Sequence, residues 1–202
     1  MRKIITIVLI VSAILMLSSC AGKEKSMTNE LFEKSMSASE ALELSRESDV
    51  VVIEESGCTS GQDVWDRFYA RTQKGREDSV LCAHYYALDK DHVSVELYEE
   101  EKDHYPVMYL FMLDFDGKEY SVTIRESSNP DIESEETYKY LRYFTGKAPE
   151  TALFDSYEYY VLTDDDNVTW DEIMKGLYSS DSSTPRYRHL TVCENFKGWK
   201  GN

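Results

Sequence analysis

The sequence predicts an α+β fold: a curved antiparallel sheet of about five to six strands packed with two to three short helices. Three observations point there. Segments rich in β-branched and aromatic residues, most alternating with period two, dominate residues 80–194. Capped helical patterns open only near residues 37, 60 and 169. An Asp-Gly turn links two consecutive extended segments, and strands that follow one another without intervening helices make an antiparallel sheet rather than a βαβ array.

Taken in order, the chain begins with Met1-Arg2-Lys3 and then runs apolar from Ile4 to Leu17, broken only by Thr6, Ser12 and Ala13. At 1.5 Å per residue such a run spans roughly 21 Å as a helix, short of the ~30 Å hydrocarbon core. It reads as a signal peptide. Leu17-Ser18-Ser19-Cys20 places an aliphatic residue and two small ones before a cysteine, and so resembles the lipobox of bacterial lipoproteins. That resemblance implies cleavage between Ser19 and Cys20, a thioether-linked diacylglycerol on Cys20, and in many species a further fatty acid such as palmitate on the new amino group. Because each buried methylene contributes about 0.8 kcal/mol, two chains hold where one is marginal. The expected organisation is a lipoprotein signal peptide over 1–19, a lipidated tether over 20–36 and a single acidic α+β domain over 37–202. The expected location is the cell membrane or cell envelope, lipid-anchored and extracytoplasmic.

Composition bounds what such a domain binds. The formal charge is -16, and removal of residues 1–19 takes away Arg2 and Lys3 and no acid, giving -18. Nucleic acid and anionic head groups, which need a basic footprint, are excluded as partners. With 42% hydrophobic and 12% aromatic residues the chain can bury a core. Once Cys20 is acylated, Cys58, Cys82 and Cys193 remain, which allows at most one disulfide, so packing is expected to hold the core.

Thr28 to Lys34 reads as a weak helical turn in the tether. Ser37-Ala38-Ser39-Glu40 is a capping box opening a helix to about Arg46. Val50 to Ile53 is a buried strand ending at Ser56-Gly57. A second helix is capped by Ser60 and ended by Gly75, with Val64, Trp65, Phe68, Tyr69 and Thr72 on one face. Extended segments follow over Val80–Leu88, Tyr105–Phe115, Glu119–Glu126, Tyr138–Phe144, Phe154–Leu162 and Arg186–Glu194. Phe115-Asp116-Gly117-Lys118 predicts a type I′ hairpin. Thr169-Trp170-Asp171-Glu172 is a second capping box for a helix to about Tyr178, followed by a loop over Ser179–Pro185. The outline is similar to cystatin-like or nuclear-transport-factor-like (NTF2-like) cones. The sequence also resembles a group of small uncharacterised lipoproteins in Asp63-Val64-Trp65, Phe68-Tyr69, Thr72-Gln73-Lys74-Gly75, Tyr138-Lys139-Tyr140-Leu141 and Thr169-Trp170; this resemblance implies no activity.

Cys82, His84 and Tyr86 alternate on one strand and share a face, with the thiol and imidazole about 7 Å apart at the Cα level, conceivable as a thiolate and base. Residues on one strand diverge, however, and packing is the simpler role. Asp164-Asp165-Asp166-Asn167 with Thr169 and Asp171 offers hard oxygens, but without the alternate spacing and glycine of a calcium loop, and it reads as a turn feeding a helix cap. His84, His92, His104 and His189 lack zinc spacing. Glu99-Glu100-Glu101 and Glu133 to Glu136 read as solvated surface. No catalytic, cofactor-binding or metal residues are therefore expected. The tyrosines, fifteen in all and clustered at Tyr85-Tyr86, Tyr138, Tyr140 and Tyr143, and Tyr157 to Tyr160, can stack on sugars or enter a protein interface. The reading that results is a membrane-anchored envelope lipoprotein, a non-enzymatic binding or accessory module for an envelope protein or glycan. The alternative is an envelope-acting hydrolase using carboxylates or the Cys82/His84 pair.

Overall fold

A computed structural model of the chain describes residues 30–200. Ser19, Cys20 and the first part of the tether lie outside the described residues. The helical stretch 30–33 (α1) comes first, and Ala38–Arg46 (α2) follows; Ser37 caps α2 through the Glu40 amide while the Glu40 carboxylate returns to the Ser37 amide at 3.0 Å. Val51–Glu54 (β1) and Gly57–Ser60 (β2) form a short hairpin, then Gln62–Thr72 makes α3 and Asp78–Tyr86 makes β3. Val95–Glu101 (α4) with a 3₁₀ turn leads to β4 (Val107–Phe115), β5 (Tyr120–Glu126), β6 (Ser134–Tyr138), β7 (Tyr140–Lys147) and β8 (Ser156–Thr163). Trp170–Tyr178 (α5) and His189–Lys197 (β9) complete the described part. No helix among the described residues is long and apolar enough to cross a membrane.

The nine strands form one sheet in the order β6-β5-β4-β3-β1-β2-β9-β8-β7. Its edge strands β6 and β7 are consecutive in the chain, with only Lys139 between them. Laid flat at ~4.8 Å per strand, the edges would stand about 38 Å apart. Three consecutive residues reach no further than about 8 Å. The sheet therefore curls into a half-barrel whose ends meet at Lys139. Arg188, just before β9, reinforces the seam by donating to the Thr137 carbonyl (2.7 Å), Glu136 (2.9 Å) and Asp164 (3.0 Å), with its guanidinium 4.1 Å from the centre of the Tyr138 ring.

Helix α3 lies in the concave interior. Its Trp65 and Phe68 pack with Val51, Ile53, Cys82 and Leu113 on one side and with Tyr160, Leu162 and Val192 on the other. The convex face carries α2 against Val50, Val52, Leu81, Ala83, Met108 and Leu110, and α5 against Val161 and Val168. Because β1 and β3 are covered on both faces, alternate residues enter different cores, which is why both read as unbroken apolar runs rather than alternating ones. The segment 30–36 also docks: Leu31 is buried, the Met36 amide donates to Ser127, and the buried Arg125 donates to the carbonyls of Leu31 (3.1 Å), Lys34 (2.5 Å) and Asn129 (2.9 Å).

The expected sheet of five to six antiparallel strands with two to three helices is overturned. There are nine strands and, counting α1, five helices among the described residues, and β1 pairs with β3 in parallel. Three local causes account for the difference. Gly57, which reads as a strand end, is a hairpin hinge at φ +100° that sends the chain back as β2. Glu133 to Glu136, which read as solvated surface, supply most of edge strand β6, where charge on an outer strand deters further pairing. Ser94 caps α4, a helix that buries no residue and so shows no apolar stripe.

Two smaller corrections follow from backbone angles. The cap residue of α3 is Gly61 at φ +74°, not Ser60; a Cβ there would lie 2.3 Å from the Val50 carbonyl oxygen. Asp116 does not adopt positive φ, so the β4–β5 turn is not type I′. Its carboxylate instead accepts the amides of Lys118 (2.8 Å) and Glu119 (2.9 Å), while Gly117 alone is left-handed at φ +92°.

Candidate functional site

The seam where the sheet ends meet opens into a cleft of about 430 Å³. Helix α3 contributes Tyr69, Thr72 and Gln73 from its C-terminal end, the β4–β5 turn contributes Lys118, and the β6–β7 corner contributes Lys139. Tyr140, Arg142 and Tyr143 on β7 form the far wall. Local folding explains the placement. Leu141 turns into the core, and its carbonyl accepts from Gln73 Nε2 at 3.1 Å, which ties the start of β7 to the end of α3.

The aromatic wall is continuous with the core. Trp65 meets Tyr160 edge-on at 5.0 Å, Tyr160 meets Tyr69 edge-on at 5.0 Å, and Tyr143 lies 4.9 Å from Tyr160. Tyr143 keeps 39% of its surface exposed and so stands at the rim of this chain, whose innermost ring is packed; Tyr140, 37% exposed, projects from the other face of β7, the face of Arg142 and Phe144. Burial pushes the Tyr69 and Tyr120 hydroxyls above the ordinary phenol range, leaving both protonated and able to donate near neutral pH.

Cations are concentrated here. Arg142 is compensated, donating from Nη1 to the Asp166 carboxylate at 2.5 Å and to the Asp166 carbonyl. Lys118 and Lys139 enter no ion pair among the described residues. The two lysines add positive charge beside the Arg142–Asp166 pair, while the adjoining cleft at the β4–β5 turn is lined by Glu77, Asp78, Asp114, Asp116 and Glu119, and the Glu119 and Lys118 amides, together with the charge of Lys118, hold the Asp116 carboxyl below its ordinary range.

The tyrosine run 157–160 splits between faces. Tyr160 points inward, whereas Tyr157 and Tyr159 stack on the convex side, Tyr159 lying 4.5 Å from Trp170. Phe154 and Phe196, stacked at 4.3 Å, extend that half-buried strip to Trp199. Tyr86 stands 48% exposed at the opposite end of the sheet, edge-on to Tyr109.

The Cys82/His84 pair does not form a thiolate and base. Both side chains are buried, and burial raises the Cys82 thiol well above its ordinary range while depressing His84 to about 4. His84 stacks on Phe111 at 4.4 Å, and its Nε2 lies 3.2 Å from the Val192 carbonyl, which only accepts; the neutral ring therefore carries its proton on Nε2. Cys58, Cys82 and Cys193 are free thiols on this same interior face, with Cys58 donating to the Ser60 carbonyl at 3.2 Å.

The acidic loop is spent on structure. Asp166 holds Arg142, Asp164 holds Arg188, Asp165 accepts the Asn167 amide at 2.8 Å, and Thr169 with Glu172 forms the expected capping box. His92 pairs with Asp89 at 2.7 Å, His104 with Glu101 at 3.1 Å, and His189 with the Tyr187 carbonyl at 2.8 Å, so the histidines stay apart. Among the described residues no three His, Cys, Asp or Glu side chains gather as a metal site.

Carboxylates line further clefts, among them one of about 470 Å³ at the β4–β5 turn with Glu77, Asp78, Asp114, Asp116 and Glu119, and one of about 450 Å³ beyond the β1–β2 tip, where Glu54, Glu55 and Glu194 sit beside Tyr86. Burial raises Glu194, but Glu54 already accepts from Arg46 at 2.7 Å and from Thr59. Of the cleft at the seam, the sequence marks Tyr140 and Tyr143 and misses Gln73, Lys118, Lys139 and Arg142. The one available signal is Lys139 itself, a lone cation between two tyrosines. A curled mixed sheet enclosing one helix, with an aromatic and cationic cleft at its seam, defines the class of domain. Comparison with protein-family models, curated proteins and solved structures finds no match to the chain.

Proposed function

We propose that the protein is a lipoprotein of the cell envelope, anchored extracytoplasmically by lipid on Cys20, and that its domain is a non-enzymatic binding module working through the seam cleft. The cleft carries the reading. Half-exposed Tyr143 stands on a wall continuous with the Trp65–Tyr160 contact, with Tyr140 at the start of the same strand, and a preformed concave site with a few placed polar groups is what ligand recognition requires. Hydrolysis has less support, because Glu54 is paired with Arg46, and of the carboxylates in the cleft at the β4–β5 turn Asp78 is paired with Arg71 and Asp116 is bonded to turn amides.

The reading is tested by purifying the lipidated protein from its own membranes and identifying what accompanies it. Bound envelope material should be retained by the native chain and lost from a Tyr140→Ala/Tyr143→Ala variant. Identical material on both, or none on either, counts against a cleft-borne binding role. The anchor has its own check: Cys20→Ala should abolish metabolic labelling by fatty acid, and continued labelling would refute the assignment.

A further inference from the structure

We infer that Cys58 and Cys193 form a dithiol site that a small-molecule disulfide oxidises to an intramolecular disulfide, locking the joint between β2 and β9. This goes beyond the binding role proposed above and is independent of it.

Position selects this pair from the three thiols. Cys58 pairs across the ladder with Ile53 of β1, and Cys193 with Tyr160 of β8. Residues opposite one another in a ladder share a face, and both partners belong to the interior core, so both thiols turn into the half-barrel. Gly57 opposes Asn195 on antiparallel β2 and β9, which leaves Cys58 and Cys193 offset by one residue on neighbouring strands. A strand spacing of about 4.8 Å with an offset of about 3.4 Å places their Cα atoms about 6 Å apart, inside the roughly 4.4–6.8 Å that a disulfide spans. In a regular ladder that offset would send the side chains to opposite faces. Here Gly57, at φ +100°, breaks the alternation of β2, and the Cys193 thiol hydrogen-bonds to the Cys58 sulfur. Cys82 is out of reach: β1 lies between its strand and β2, so two strand spacings, about 9.6 Å, part it from Cys58, and β9 is further still.

The two thiols take different parts in the reaction. Cys58 is partly exposed, whereas Cys193 keeps no exposed surface. The hydrogen bond from Cys193 holds the Cys58 thiol below its ordinary range, and burial pushes Cys193 well above it. The thiolate is the nucleophile, so Cys58 attacks first. Its sulfur bonds to one sulfur of the donor RSSR, the donor S–S bond breaks, and RS⁻ leaves. Cys193 gives up its proton and attacks the Cys58 sulfur, the bond from Cys58 to SR breaks, and a second RS⁻ leaves. Two protein thiols are oxidised by two electrons, and the donor is reduced to two RSH that carry away both thiol protons. The new bond spans the thinnest joint of the sheet, where one residue pair and the bond from Asn195 to Gln62 at 3.0 Å connect β9 to β2 and α3.

The test is incubation of the detergent-solubilised full chain with oxidised glutathione, followed by alkylation, tryptic digestion and mass spectrometry. The peptides that carry Cys58 and Cys193 should be joined and two hydrogens lighter than their sum, with Cys82 alkylated only after denaturation. The thermal midpoint should rise by about 5–15 °C over that of the reduced chain, because a link across a long loop restricts the unfolded state. In Cys193→Ser the glutathione mixed disulfide should persist on Cys58. Cys58→Ser should stay unlinked, with Cys193 unmodified and the midpoint unmoved; this variant and the native chain decide the case if the buried Cys193→Ser does not fold. A native chain in which Cys58 stays unreacted or keeps its glutathione, a link through Cys82, or a link that leaves the midpoint unchanged overturns the assignment.

Discussion

Trp65→Ala should destabilise the domain by about 3–5 kcal/mol, seen in urea unfolding as a lower midpoint at unchanged slope. Domains of this size are stable by only about 5–15 kcal/mol, so the variant would sit near the edge of folding. The magnitude follows from position. Trp65 has no exposed surface and stands on the one helix inside the half-barrel, tilted against Phe68 at 5.7 Å and edge-on to Tyr160 at 5.0 Å. Both halves of the curled sheet pack on this ring, and β2 joins β9 through a single residue pair, Gly57 with Asn195. Backbone pairing is thus thinnest where α3 bridges the interior.

A second variant separates volume from chemistry. Trp65→Phe keeps most of the ring, and indole Nε1 meets no acceptor among the described residues, so the change should cost under half as much as Trp65→Ala. A loss below about 1 kcal/mol for the alanine variant would contradict a filled interior, since large aromatic truncations in packed cores cost several times that.

The helix that carries Trp65 was legible in the sequence because Val64, Trp65, Phe68 and Thr72 form a helical stripe, and all four are buried. Which sheet surface it meets was not legible. The apolar run of β1 gives no sign of its face, and the chain reverses at Gly57 after only four strand residues. β6 stayed hidden because one residue, Tyr138, is buried on a strand otherwise made of Ser, Glu and Thr. The cleft depends on those strands. Lys118 and Lys139 are more than twenty positions apart and become neighbours of one site only when the sheet curls to bring β6 and β7 together. Tyrosine clustering marks the rim but does not say which rings turn inward; Tyr160 does so and Tyr159 does not, an alternation set by the register of β8 on β9.

Acid should weaken the fold before the carboxylates titrate, and His84 should be the reason. Its imidazole is buried against Phe111 and bonded to Val192 as the neutral ring, with a folded pKa of about 4 against an ordinary 6.5. Above pH 6.5 both folded and unfolded chains hold a neutral ring and no stability is lost. As pH falls below 6.5 the unfolded chain takes up a proton that the folded chain refuses, so stability declines until about pH 4. The loss between pH 7.5 and 5 should reach about 2 kcal/mol. Groups elsewhere in the chain do not produce the same loss in this window. Glu40, Glu172 and Asp116 are held below their ordinary ranges, and their contributions disappear only as pH falls through the carboxylate range. Glu194 and Asp114 are raised by burial and act in the opposite sense, gaining stability as they protonate, and so does His92, raised by Asp89. Urea midpoints measured from pH 7.5 to 5 should therefore fall for the native chain and stay nearly level for His84→Phe, which keeps a ring on Phe111 and removes the proton site. A native chain that is flat over this window, or a phenylalanine variant that falls in parallel, would show that some other group governs the acid sensitivity.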